Sequence, residues 1–103
     1  MKVTVTARHC QIDDTLRDRA TELIERISKL ARRPQRAEIV FDNDHKRQIV
    51  EFQLYMPRGN VHVASAEAAD FRTALNRVAE KLRNQLDKLP SNPASRRNAV
   101  GEK

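Results

Sequence analysis

A chain of 103 residues, 39% apolar, 33% charged and only 4% aromatic, has the length of one domain, whose core must be built mainly from Val, Ile, Leu and Ala. It should bury roughly 60–65% of its unfolded surface, which excludes disorder throughout. Lys and Arg total 20 against 14 Asp and Glu, a formal net charge of +6, so the position of the charge must separate a site for an acidic partner from a merely solubilising surface.

Val3, Val5 and Ala7 alternate with Lys2, Thr4, Thr6 and Arg8, the period of a strand with one buried face. The alternation lacks the continuous apolar run of an export signal, and no later stretch approaches the ~20 apolar residues of a membrane span. Cys10 is the single cysteine, so no internal disulfide or cysteine-based metal site can form. A soluble cytoplasmic protein, with no membrane partner, is expected.

Asp13 suits a helix N-cap, and Asp14 and Asp18 favour the positive end of the following helix. Leu16, Ala20, Leu23, Ile24, Ile27, Leu30 and Ala31 then recur at three- and four-residue steps. They predict an amphipathic helix over residues 14–33, ended by Pro34.

Ala37, Ile39 and Phe41 mark a second strand, FDNDHK supplies turn residues, and Val50, Phe52, Leu54 and Met56 mark a longer third strand. PRGN at 57–60 is a turn, after which Val61 and Val63 begin a fourth strand. Asp70 caps a second helix whose apolar stripe is Phe71, Leu75, Val78, Ala79, Leu82, Leu86 and Leu89. Past Pro90, the segment 91–103 offers little to bury and is expected to be a flexible basic tail beyond a domain of residues 1–90.

The order β-α-β-β-β-α predicts an α+β two-layer sandwich, a four-stranded sheet with both helices on one face. Thr4, Thr6, Glu38, Glu51 and Gln53 suit the open face. The cations are unevenly spread. Arg19, Arg26 and Arg33 are seven residues apart on one flank of the first helix, with Lys29 beside them, and residues 26–37 hold Arg26, Lys29, Arg32, Arg33 and Arg36 without an acid. Five cations exceed what the negative end of a helix dipole needs. In the second helix Arg77, Lys81 and Lys88 share a flank, while Arg72 and Arg83 lie across the apolar stripe. Such a field suits phosphates, although a charge run also serves as a plain solvated face.

Catalytic signals are weak. His9, His45 and His62 are scattered, the His9–Cys10 pair points to opposite faces of a strand, and His62 suits a sheet surface. Asp42 and Asp44 fit turn chemistry. Gly59 and Gly101 are the only glycines, so no glycine-rich phosphate loop exists. No enzymatic activity, cofactor, metal or small-molecule substrate is expected.

The order of elements, the stretch IDDTLRDRATELIERISKL, the junction PRGNVHVASAEAADFRTALN and the end KLRNQLDK together resemble the bacterial ribosome hibernation factors, the family of short hibernation-promoting factor and ribosome-associated inhibitor. The likeness covers residues 1 to about 90. It implies a cytoplasmic stress protein that occupies the mRNA and tRNA channel of the small ribosomal subunit, contacts ribosomal RNA and silences translation, and that is monomeric when free. The RNA-facing positions carried over are Arg26, Lys29, Lys81 and Lys88, and the charge pattern adds Arg33, Arg77 and Arg83. The family pattern K-L-x-R-Q-L-x-K has its arginine where this chain has Asn84, so Arg83 is displaced by about 100° around the helix. Phe71 and Arg72 stand where the family has Met and Tyr. A general double-stranded RNA-binding module and a small protein-binding regulatory adaptor are the alternatives.

Overall fold

The computed structural model describes residues 1–88, so Leu89 and the expected tail at 91–103 lie outside the described residues. Within them the elements are β1 (Lys2–Arg8), α1 (Asp14–Ser28), β2 (Arg36–Asp44), β3 (Arg47–Tyr55), a short 3-10 turn (Pro57–Gly59), β4 (Val61–Ala68) and α2 (Phe71–Asp87). One sheet runs in the order β1-β2-β3-β4, with β1 parallel to β2 and the other neighbours antiparallel. This is the expected α+β sandwich. α2 packs across β3 and β4, and α1 lies beside α2 over β1 and β2.

Register explains the single core. Ala7, Phe41, Val50 and Ala66 form one row across the sheet, and Val5, Ile39, Phe52 and Ala64 form the next. Apart from Ala7, which stays exposed at the end of β1, these side chains pack with Ala20, Leu23, Ile24 and Ile27 of α1 and Ala74, Leu75, Val78, Leu82 and Leu86 of α2. Phe71 closes the top of the core, its ring edge-on to Phe41 at 5.2 Å between centroids.

Four local expectations need correction. α1 ends at Ser28, six positions before Pro34. The Ser28 hydroxyl donates to the Glu25 carbonyl, and Leu30 and Ala31 make tight bonds to the carbonyls three residues back, before Arg33 turns left-handed at φ 54°. Leu30, now beyond the helix, is 48% exposed. The β2–β3 hairpin is tighter than FDNDHK suggests, because Asp42 and Asp44 belong to β2 and only His45 and Lys46 form the loop. Both have positive φ, the conformation of a type I′ turn that Asn-Gly usually supplies.

In β4 the inward residues are Ala64, Ala66 and Ala68, while Val61 and Val63 stand exposed on the open face. The alanines leave room for α2 to cross closely. His62 therefore lies opposite buried Leu54 on the helix-bearing side, half-buried, and not on the open sheet surface. His9 and Cys10 fall just past the end of β1, so they do not alternate across a strand.

Asp13 and Asp70 cap the helices as expected, accepting from the backbone N–H of Leu16 at 2.8 Å and of Thr73 at 2.7 Å. The Thr73 hydroxyl also donates to Asp70, at 3.1 Å. These Thr73 bonds, the backbone one foremost, hold the Asp70 carboxyl below the usual carboxylate range.

Two measurements check this account. Leu82 is fully buried, and Leu82→Ala should cost about 2–5 kcal/mol in chemical denaturation. Asp70→Ala should lower the thermal midpoint at neutral pH. A depressed folded pKa contributes stability that is complete above the unfolded value, about 3.9, and is lost as pH falls through the folded value. The gap between wild type and variant should therefore close on acidification below about pH 4.

Candidate nucleic-acid interface

β1, β2 and β4 point one way, and each helix runs back against the strand before it, so α1 and α2 are parallel neighbours. Both end at the same pole of the domain. Asp13, Asp14 and Asp18 suit the positive dipole terminus at the opposite end of α1, Glu22 and Glu25 follow along the helix, and its last turn carries Arg26 followed by Lys29 at the C-cap.

A groove separates the helices. Leu23, Ile27 and Ala79 form its apolar base, with Arg26 of α1 and Glu80 and Arg83 of α2 along it. Arg83 thus faces Arg26 across the groove, on the flank opposite Lys81. Arg26 approaches Glu22 only at 3.9 Å, with both side chains exposed, a pairing too loose and solvated to cancel its charge.

The other flank of α2 has a structure that its charge alone does not reveal. β4 is an edge strand, and its outward carbonyls would lack partners. Arg77 Nη1 donates to the Glu67 carbonyl at 3.0 Å, Lys81 Nζ to that of Ser65 at 2.8 Å and Gln85 Nε2 to that of Val63 at 2.8 Å. Steps of four along the helix match steps of two along the strand. A carbonyl neutralises no charge, so Arg77 and Lys81 are both edge caps and fixed cations. Lys88 follows as the α2 C-cap. Gln85 was not expected here; its signal was the four-residue spacing from Arg77 and Lys81.

Arg33 does not join the α1 flank with Arg19 and Arg26. It sits in the loop after the helix and lines a cleft with Arg32, Arg58 and His62. Arg19 is paired with Glu22 at 3.3 Å. Arg36 also leaves the basic run: it starts β2, pairs with Glu38 and stacks 3.7 Å above the Tyr55 ring on the open sheet face.

That sheet face is electrically balanced. Arg8 meets Asp42 at 3.8 Å, Arg36 meets Glu38, and Arg47 meets Glu67 at 2.9 Å. By contrast, Lys29, Arg33, Arg77, Lys81, Arg83 and Lys88 make no carboxylate pair among the described residues. Arg8, Arg36 and Arg47 of the sheet face are thus each paired with a carboxylate, whereas six cations on or beside the helix layer are not, among the described residues.

Near the end of β1, His9 Nδ1 lies 3.0 Å from Asp42 Oδ1. This bond, with the Asn43 N–H, holds the Asp42 carboxyl below its ordinary range. Burial, and then the Asp42 charge, push the Cys10 thiol up, the opposite of what activates a nucleophile. Among the described residues no group of three His, Cys, Asp or Glu side chains is placed to hold a metal, and no helix is long and apolar enough to cross a membrane.

Residues 3–91 match the family described as Sigma 54 modulation protein / S30EA ribosomal protein. The chain is 31% identical over 88 residues to a ribosome hibernation promoting factor of Pseudomonas putida, covering 85% of each chain. It is 30% identical over 97 residues to the ribosome-associated factor Y of Haemophilus influenzae, covering 94% of this chain and 90% of that one. A ribosomal subunit interface protein from Coxiella burnetii superposes with a TM-score of 0.77 at 25% identity, over 85% of this chain and 96% of that one.

If Arg77 and Lys81 cap the edge of β4, replacing both with Met removes the donors but keeps the apolar stems. The Arg77→Met/Lys81→Met variant should self-associate more strongly than wild type in analytical ultracentrifugation, and its thermal midpoint should fall. Unchanged sedimentation and midpoint would mean that water satisfies those carbonyls equally well.

Proposed function

The chain belongs to the Sigma 54 modulation protein / S30EA ribosomal protein family, and from this we propose that it is a ribosome hibernation factor. It binds the small ribosomal subunit in the mRNA and tRNA channel, through ribosomal RNA, and inhibits translation under stress or in stationary phase. The free protein is a cytoplasmic monomer without enzymatic activity.

The observation that carries this reading is the contrast between the two faces. Arg26, Lys29, Arg33, Arg77, Lys81, Arg83 and Lys88 lie on or beside the helix layer, whereas Arg8, Arg36 and Arg47 of the sheet are spent on neighbouring carboxylates. Folded RNA presents phosphates at fixed separations. Cations held by a helix, and in two cases by hydrogen bonds to the β4 edge, meet them with little further loss of side-chain entropy. Each phosphate neutralised releases counterions, so affinity should fall steeply with salt. Arg83 supports the reading despite its displacement from the family's arginine position, since it shares the groove with Arg26.

The test is sedimentation with small ribosomal subunits at several salt concentrations, alongside cell-free translation. Wild type should co-sediment and inhibit. Arg26→Gln/Arg83→Gln/Lys88→Gln, which leaves the β4 caps intact, should weaken binding by about tenfold or more and flatten the salt dependence. Arg47→Gln, on the sheet face, should change neither. Full translation at saturating wild-type protein would overturn the proposal.

A further inference from the structure

The cleft at the pole where both helices end is built from two loops. The segment after α1 contributes Arg32 and Arg33, and the β3–β4 connection contributes Arg58, with His62 following in β4. The Gln35 N–H donates to the Tyr55 carbonyl at 2.8 Å, tying the first loop to the end of β3, and the Met56 N–H donates to the Asn60 carbonyl at 2.8 Å, closing the second. No carboxylate lines the cleft. Among the described residues none of the three arginines has an ion pair, although Arg8, Arg19, Arg26, Arg36 and Arg47 all do.

Two of the three are also held in an unfavourable backbone. Arg33 has φ 54° and Arg58 φ 71°, the left-handed region where glycine or asparagine is the usual occupant. Like charges gathered without a counter-charge, two of them on strained backbone, destabilise the free protein; residues retained at such a cost are candidates for function. An anion with several oxygens would relieve the repulsion, and the planar guanidinium fork matches phosphate in particular.

We propose that Arg32, Arg33 and Arg58, with His62 in the same cleft, form a phosphate clamp for two or more neighbouring phosphate groups, separate from the interhelical groove. The phosphates come from the RNA backbone or from a free polyphosphate. The RNA source rests on the ribosome-binding reading above; the clamp itself does not.

Because both strained positions favour glycine, Arg33→Gly/Arg58→Gly removes two guanidiniums while suiting the backbone, and its thermal midpoint should be unchanged or higher. Arg32→Gln, which leaves both left-handed residues in place, is the second variant should the first fold poorly. Each is measured against small ribosomal subunits across a salt series and against inorganic tripolyphosphate by calorimetry. For an RNA source, subunit affinity should drop by about tenfold, and the salt slope should fall by roughly 0.7–0.9 for each phosphate that is no longer neutralised. For a free polyphosphate, Arg32→Gln, which touches none of the residues assigned above to ribosomal RNA, should leave subunit binding unchanged, while tripolyphosphate binding seen with wild type should be lost. If wild type fails to bind subunits, the hibernation reading falls and the tripolyphosphate arm still decides the clamp. Variants indistinguishable from wild type in both arms, or a wild type that binds neither ligand, would overturn it.

Discussion

The parallel pairing of β1 with β2 is the constraint on which the rest of the molecule depends. Two adjacent parallel strands require a crossover, and α1 is that crossover, so it must run against the strands over one face of the sheet. α2 returns from β4 in the same direction. Two parallel helices place both negative dipole ends at one pole, where cations are stabilised and acids are not. The alanine face of β4 completes the arrangement. With Ala64, Ala66 and Ala68 beneath it, α2 lies near enough to the sheet for Arg77, Lys81 and Gln85 to reach the edge carbonyls.

Strands β1 to β3 were legible because Val3 and Val5, Ala37 to Phe41, and Val50 to Leu54 alternate cleanly, and two helices followed from their apolar stripes and Asp caps. Where the reading failed, tertiary context had overruled a local signal. Pro34 suggests a helix end, yet Ser28 bonds back to Glu25 and the chain leaves the helix earlier. Val61 and Val63 do begin β4, but the side chains its inner face presents are three small alanines, since the demand there is close approach and not volume. Nothing in His45-Lys46 announces a type I′ turn, because the pair lacks the Asn-Gly or Asp-Gly signal that such turns usually carry.

The candidate site was half legible. Helical spacing placed Arg77 and Lys81 on one flank and Arg83 on another, and the geometry agrees. It could not show that Arg77 and Lys81 double as edge caps, since that depends on β4 ending the sheet. Nor could it separate Arg36 from its neighbours in the basic run. Strand alternation from Ala37 sends Arg36 to the opposite face, where Glu38 and Tyr55 engage it. Arg58 escaped notice because it is remote in sequence from Arg32 and Arg33 and joins them only through the loop packing at the pole.

Taken together, the charges make an orientation argument: a ligand rich in phosphate should meet the helix layer and the pole, leaving the balanced sheet face to solvent. A photoreactive residue can be placed at Asn84 on α2 and, separately, at Thr4 on the open sheet face, both exposed and neither charged. Irradiation in complex with small ribosomal subunits should then yield protein–RNA cross-links from position 84 and none from position 4. Cross-links to RNA from position 4 with none from position 84 would contradict the account at its centre.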